Sequence, residues 1–232
     1  SYMSEKTKEC IANGVFTVGN YFFGGVGHII IDYDKAIRRG YKAIIQDAVE
    51  ALESFDCNDP DFIQKTQFCK AIITVLSAAI NFAKRYSDKA KEMAAVETNP
   101  TRKAELLQIA ANCEKVPANG ATNFYEACQS FIITQMILQV ESSGHSESPG
   151  RFDQYMYLEK DLASGAITKD FAQELLDCVF VKLNDLNKVR DQISAQAFAG
   201  FQVFQNIGSG GQTDDSSAAT NELSYMMMET VA

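Results

Sequence analysis

Tryptophan is absent from the 232 residues, proline occurs four times and histidine only twice. Few prolines leave long stretches in which helices can propagate, and two histidines leave little material for a histidine-based metal centre. The six cysteines (Cys10, Cys57, Cys69, Cys113, Cys128, Cys178) stand far apart, without a C-x-x-C pair, so no zinc or iron–sulfur pattern forms and no bound metal is expected. Cys69, Cys128 and Cys178 fall in apolar helical stretches, which predicts buried thiols in a reducing compartment. Basic charge is sparse and scattered: 21 Lys and Arg stand against 30 Asp and Glu, a net charge of −9. A nucleic-acid surface needs clustered cations, so none is expected, and the pairs Arg38-Arg39 and Lys84-Arg85 read as solvated helix faces. The polar opening Ser1 to Glu9 is unlike a signal peptide, and the apolar run Phe131–Leu138 is too short to span a bilayer. A soluble cytoplasmic protein without a membrane partner is expected.

What is present is mostly helical patterning, with 46% hydrophobic residues to fill a core. Ser4 is placed to cap a first helix. Ile37, Tyr41, Ile44, Ala48, Leu52 and Phe55 recur at helical spacing over Asp34–Phe55. Asn58-Asp-Pro60 opens a long helix to about Val96. Asn99-Pro100 then starts a third, as an N-cap followed by proline at the first helical position, which ends near Lys115 before Pro117. Asn123 and Glu126 are spaced as a capping box for a fourth helix to Gln139, apolar nearly all round and so expected to be the most buried. Thr168 caps a fifth through Leu175, Val179, Leu186 and Val189, and Glu222–Val231 is a last helical run. Strands are expected only at Gly27–Ile31 and Phe201–Ile207. Long helices around a few short strands fit a helix-wrapped portion of an α/β barrel.

Both histidines follow glycine in segments between helices: Asn20-Tyr-Phe-Phe-Gly-Gly-Val-Gly-His28 and Glu141-Ser-Ser-Gly-His145-Ser146. Imidazole can donate and accept a proton near neutral pH, and glycine lets backbone approach a small ligand closely. From spacing alone, a turn ahead of a buried strand, with His28 capped by a backbone carbonyl, accounts for Gly24–His28 slightly better. Ser146 beside His145 is not a nucleophile–base pair, since adjacent side chains point apart and no third member is present. Arg151-Phe-Asp153 can lock itself and the loop backbone as structural support. Asn206 faces a pocket or pairs with the Gly208-Ser-Gly-Gly turn, which lacks the spacing of a phosphate loop.

Three longer segments carry more. Phe16-Thr-Val-Gly-Asn-Tyr-Phe-Phe-Gly-Gly-Val-Gly-His28, Glu141-Ser-Ser-Gly-His-Ser-Glu-Ser-Pro-Gly-Arg-Phe-Asp-Gln-Tyr-Met-Tyr157 and Ala219-Thr-Asn-Glu-Leu-Ser-Tyr225 resemble the glycyl radical enzymes of the pyruvate formate-lyase type. Lys182-Leu-Asn-Asp-Leu-Asn-Lys-Val-Arg-Asp191 adds to the likeness, which covers essentially the whole chain and leans toward the B12-independent glycerol/1,2-propanediol dehydratases. The resemblance implies a ten-stranded α/β barrel enclosing a cysteine loop and a radical-glycine loop. It implies His28 as candidate acid to a leaving hydroxyl, with Asn20, His145 and Ser146 at the diol hydroxyls and Phe204 lining the same site; Arg151, Asp153 and Asn206, read from the residues themselves, are expected as supports behind them. A polar diol, an S-adenosylmethionine/iron–sulfur activating enzyme and a homodimer are the implied partners. An anaerobic cytoplasm is the implied setting, with a bacterial microcompartment as the alternative.

Three departures qualify the likeness. The Gly-Cys-Val-Glu and Arg-Val-Ala-Gly-Tyr words that carry the cysteine and the radical are missing, so residues 1–232 read as an internal portion that binds no cofactor and is inactive alone. Phe204 stands where the diol dehydratases carry tyrosine. Tyr157-Leu-Glu-Lys-Asp161 is shorter than the family's usual stretch. Two other readings stand beside the diol dehydratase. One is another enzyme of the superfamily: a formate C-acetyltransferase, a choline trimethylamine-lyase or a C–S or C–C lyase. The other is a truncated binding module, with apolar surface exposed near both termini.

Overall fold

Side-chain caps open most of the described helices. The computed structural model describes residues 3–15, 27–142, 146–186 and 205–232. Ser4 opens α1 (Glu5–Ala12) by accepting from the Thr7 N–H, and Asp32 opens α2 (Tyr33–Ser54) by accepting from the Lys35 N–H. The long helix α3 (Phe62–Val96) starts after Asp61 rather than at Asn58, because Asp56 and Asp59 accept from the Asn58 and Asp61 N–H groups and hold that stretch as turns. Asn99 accepts from the Thr101 and Arg102 N–H groups with Pro100 as the first residue of α4 (Pro100–Lys115), as the Asn-Pro pair predicts. Asn123 opens α5 (Phe124–Glu141). The Glu126 carboxylate reaches back one residue further than a capping box requires, to the Thr122 N–H at 2.8 Å. After α6 (Leu158–Ser164), Thr168 caps α7 (Lys169–Asp185), and a reciprocal Asn221–Ser224 box opens α8 (Glu222–Val231). Each such cap contributes about 1 kcal/mol.

Four two-residue strands complete the described elements. β1 (Ile29–Ile30) runs parallel to β2 (Glu147–Ser148), and β3 (Gly150–Arg151) runs parallel to β4 (Ile207–Gly208). The segment 147–151 thus pairs with β1 in its first half and with β4 in its second, on either side of Pro149. A short 3-10 turn (Phe152–Gln154) follows β3. Of the expected strand Phe201–Ile207, only its end lies among the described residues, and there it forms β4. The α7 helix stops at Asp185, with Leu186 as its C-cap, and Val189 lies outside the described residues.

α5 is the hub of the core. It is apolar on nearly every side because α2, α3, α4, α7 and β2 surround it. Phe124 and Phe131 are fully buried, together with Tyr33, Phe152, Leu176 and Met226. Burying each such side chain stabilises the fold by roughly 1.5–3 kcal/mol. Tyr157, in left-handed backbone, leads straight into α6, whose Leu158 enters the same core, so the short Tyr157–Asp161 stretch packs without the residues it lacks. Arg38 lies over the Tyr157 ring at 5.3 Å.

α2 is not one continuous helix. Gly40 adopts φ 72 and ψ 165, and the loop 117–121 inserts at the break. The Tyr41 and Lys42 N–H groups donate to the Pro117 and Ala118 carbonyls at 2.8 and 2.9 Å, while the Ile37 carbonyl accepts from the Ala121 N–H at 2.8 Å. The backbone groups freed by the break are therefore satisfied by the loop. The helical periodicity of Asp34–Phe55 continues across Gly40 and hides it.

Two further expectations are corrected. Cys178 is exposed: it lies on α7 but away from the face that carries Leu175, Leu176 and Val179 into the core. The α3 helix, at 35 residues, is by length and composition apolar enough to cross a bilayer, which counting Phe131–Leu138 alone overlooked. In the structure α3 lies along α2 and α4. Ala79 packs with Ala36 and Tyr41, Ala83 with Cys113 and Ile133, and the Ser87 hydroxyl donates to the Ala110 carbonyl at 2.8 Å.

Candidate functional site

Pairing of β1 with β2 brings two distant segments together. Ile29 lies opposite Glu147, and the Ile29 N–H donates to the Ser146 carbonyl at 3.1 Å. His28 and Ser146, the residues immediately ahead of the two strands, therefore share one end of the ladder. Both adopt left-handed backbone, with φ of 54 and 57. For a residue with a Cβ this costs about 1–2 kcal/mol, and such strain persists only where the surrounding structure over-determines it.

The two residues differ in surroundings. Ser146 is buried, and its hydroxyl lies 3.2 Å from that of Ser148. The Ser148 hydroxyl in turn accepts the Asn206 N–H at 3.1 Å, tying the start of β4 to β2. His28 is exposed at the strand start, not enclosed in a dry pocket by the described residues. Asn206 is likewise exposed, and its backbone N–H donates to the Ser148 hydroxyl. Asn20, His145 and Phe204 lie outside the described residues.

Behind Ser146 stands a buried polar chain. The Tyr33 hydroxyl donates to Gln135 Oε1, and Gln135 Nε2 donates to the Glu147 carbonyl at 2.8 Å. Gln139 Nε2 donates to Glu147 Oε2 at 3.3 Å. Tyr33, Gln135 and Glu147 are fully buried. Next along the segment, the Tyr155 hydroxyl donates to the Pro149 carbonyl at 2.7 Å, and the Tyr155 ring stacks on Tyr33 at 6.2 Å. Burial raises both phenols far above their usual pKa, with neighbouring Tyr41 and Glu147 adding for Tyr33, and Tyr33 and Asp153 adding for Tyr155. Both remain protonated donors across the working pH range.

Arg151 and Asp153 do not lock each other, as the sequence suggested. They hold Gly210 between them: Arg151 Nε donates to the Gly210 carbonyl at 3.0 Å, and Asp153 Oδ2 accepts from its N–H at 2.6 Å. Gly210, with φ 64, turns the chain so that both of its peptide groups meet these side chains. Asp153 also accepts from the Ser224 hydroxyl, and its carbonyl accepts from Asn221 Nδ2 at 2.8 Å, so the start of α8 joins the same cluster. The role is structural support at the far end of the segment from Ser146.

Among the described residues, no group of three or more His, Cys, Asp or Glu is arranged to hold a metal ion. Cys113 and Cys128 are sealed in helix packing, and burial pushes the Cys113 thiol up to about 11 and Cys128 higher still. Sequence reasoning passed over Tyr33, Gln135, Gln139, Glu147 and Tyr155. The signal was there for the glutamines. Gln135 and Gln139 are one helical turn apart in the most apolar of the described helices, where a buried amide must have a partner.

Comparison with known proteins supplies a family. The pyruvate formate lyase-like (PFL-like) family matches residues 1–232. The chain is 34% identical over 223 residues to the (2S)-3-sulfopropanediol dehydratase of Klebsiella oxytoca, covering 94% of this chain and 27% of that protein. It is 39% identical over 204 residues to the isethionate sulfite-lyase of Nitratidesulfovibrio vulgaris, covering 86% and 25% respectively. Among solved structures, it is similar to the glycerol-bound form of the B12-independent glycerol dehydratase from Clostridium butyricum, with a TM-score of 0.90 and 50% identity. That match covers 99% of this chain and 29% of the dehydratase. The chain thus spans less than a third of the length of these relatives.

Proposed function

The chain belongs to the pyruvate formate lyase-like family, and on that footing we propose that it forms one wall of the substrate pocket in a glycyl radical dehydratase acting on a small diol such as glycerol or 1,2-propanediol. One observation carries the reading: His28 and Ser146 stand together at the paired ends of β1 and β2, both in left-handed backbone. The likeness to a glycerol-bound dehydratase at 50% identity supports the choice of a diol.

In this reading Ser146 and His145 hydrogen-bond the diol hydroxyls, Asn20 joins them, and Phe204 contributes an apolar surface. His28 is the proton donor. Hydroxide is a poor leaving group, and an imidazolium within hydrogen-bond reach converts it to water as the C–O bond breaks. Hydrogen abstraction from the diol carbon is chemistry that a thiyl radical supplies. The three cysteines buried in helix packing, Cys69, Cys113 and Cys128, do not fit that task. The reading includes an S-adenosylmethionine-dependent activating enzyme, a homodimer and an anaerobic cytoplasmic or microcompartment setting.

The test uses the complete, activated polypeptide. It is expected to convert glycerol or 1,2-propanediol to the corresponding aldehyde and water, and His28→Gln is expected to lower kcat by about a hundredfold or more. No aldehyde from either diol, with sulfite released from a hydroxyalkyl sulfonate instead, would replace the diol reading with a C–S lyase. An unchanged rate for His28→Gln would remove the proton-donor role.

A further inference from the structure

We propose that Tyr33 and Gln135 act as positioning residues that set the relative placement of His28 and Ser146 through the Glu147 carbonyl. This rests on the proposed function above, in that it assumes those two residues face the substrate.

Glu147 occupies a singular position in the segment. It follows Ser146 directly and lies opposite Ile29, the residue after His28. Any shift of the Glu147 peptide therefore moves both candidate groups relative to each other. Its carbonyl is held by Gln135 Nε2 at 2.8 Å. A carbonyl can only accept, so the Gln135 amide must turn its NH2 toward Glu147 and its oxygen toward Tyr33. The Tyr33 hydroxyl must then donate, as it does. The orientation of each group is fixed by the next, with no alternative arrangement of donors and acceptors.

The chain is anchored at its far end by packing. The Tyr33 ring meets Phe131 at 4.8 Å and Tyr155 at 6.2 Å, and Tyr33 is the first residue of α2, held by the Asp32 cap. Tyr155 grips the Pro149 carbonyl from the same aromatic layer. Two carbonyls of the segment are thus clamped by side chains of one rigid cluster. A strained Ser146 backbone needs such a clamp: without it, relaxation out of the left-handed region swings the residue away from His28. A core made only to be stable would not need this polar chain, since an apolar replacement of similar shape is close to neutral in stability.

The experiment compares two buried tyrosines in the complete polypeptide. Tyr33→Phe deletes the hydroxyl at the head of the chain. Tyr41→Phe deletes another buried hydroxyl, which lies 2.8 Å from Thr134 Oγ1 on the same α5 helix, on a side chain that packs with Ala36 and Ala79 rather than heading the chain to Glu147. Both variants lose one buried hydrogen bond, so a purely structural effect is common to both. Tyr33→Phe alone is expected to speed amide hydrogen exchange in the segment around Ser146–Ser148 and at Ile29–Ile30. It is also expected to lower kcat/KM about tenfold, with the radical yield of activation unchanged. Equal exchange and equal kinetics in the two variants would overturn the proposal. So would a Tyr33→Phe variant within twofold of the parent in both readouts. Hydrogen exchange requires no substrate, and kinetics are measured on whichever substrate the parent turns over. Failure of the diol assignment therefore remains distinct from failure of the positioning role.

Discussion

Gly40 cannot accept a side chain. A Cβ there would stand 2.3 Å from the Asn119 carbonyl carbon and 2.5 Å from the Gly120 nitrogen, both backbone atoms that cannot swing aside. Gly40→Ala should therefore destabilise the complete protein by more than about 2 kcal/mol, read as a lower urea midpoint. Gly14 offers the matched control. It has a similar φ of 68, but nothing within 4 Å would meet its Cβ, so Gly14→Ala should cost only about 1 kcal/mol from backbone strain. Cysteine chemistry separates along the same lines. With Cys113 raised to about 11 by burial, its thiolate is scarce at pH 8, whereas Cys57 and Cys178 are exposed. Alkylation of the native protein at that pH, followed by peptide mass spectrometry, should label Cys57 and Cys178 and spare Cys113 and Cys128. Early labelling of Cys113 would mean that the α3–α4–α5 packing opens readily.

The junction between α4 and α5 is an electrostatic joint. Glu126 is desolvated, which works against its charge, yet the Lys115 ammonium at 2.6 Å and the Thr122 N–H and hydroxyl together hold its carboxyl below the usual carboxylate range. A carboxyl with a lowered folded-state pKa contributes stability that is fully present above the unfolded value near ~4.3, and loses it as pH falls through the folded value. Glu126→Gln should cost on the order of 1 kcal/mol at pH 7, and the gap between variant and parent should close as the pH is taken below about 4. Denaturation curves at pH 7 and pH 3 check this. The element level also shows what the sequence makes legible. Ser4, Asn99-Pro100, Asn123 and Thr168 mark helix starts correctly because capping is local chemistry, decided within one turn. The break at Gly40 was invisible, since its cause is a loop far along the chain. The meeting of His28 with Ser146 was approached only through family likeness, because strand pairing across α2 to α5 leaves no periodicity to read. The glutamines of α5 were readable as buried polar groups but not as partners of Tyr33 and Glu147.

Across the molecule, several apolar residues face solvent. Ile30 on β1 is 73% exposed and Val140 near the end of α5 is 76% exposed. Tyr225, Met228 and Val231 lie three residues apart along one side of α8, all more than half exposed. Residues 1–232 produced alone should therefore self-associate at micromolar concentration, and Met228→Lys should reduce the effect, both measurable by light scattering after gel filtration. A monodisperse monomer with no change in the variant would show that this face needs no cover. The seam at Gly40 has a kinetic meaning as well. The loop that fills it arrives only after the whole α3–α4 hairpin has been made, and until then the Tyr41 and Lys42 amides have no partner in their final conformation. The hairpin has contacts close in sequence, whereas the bonds that complete the break span more than seventy residues and close a longer loop. An early helix is thus completed by a loop from much later in the chain.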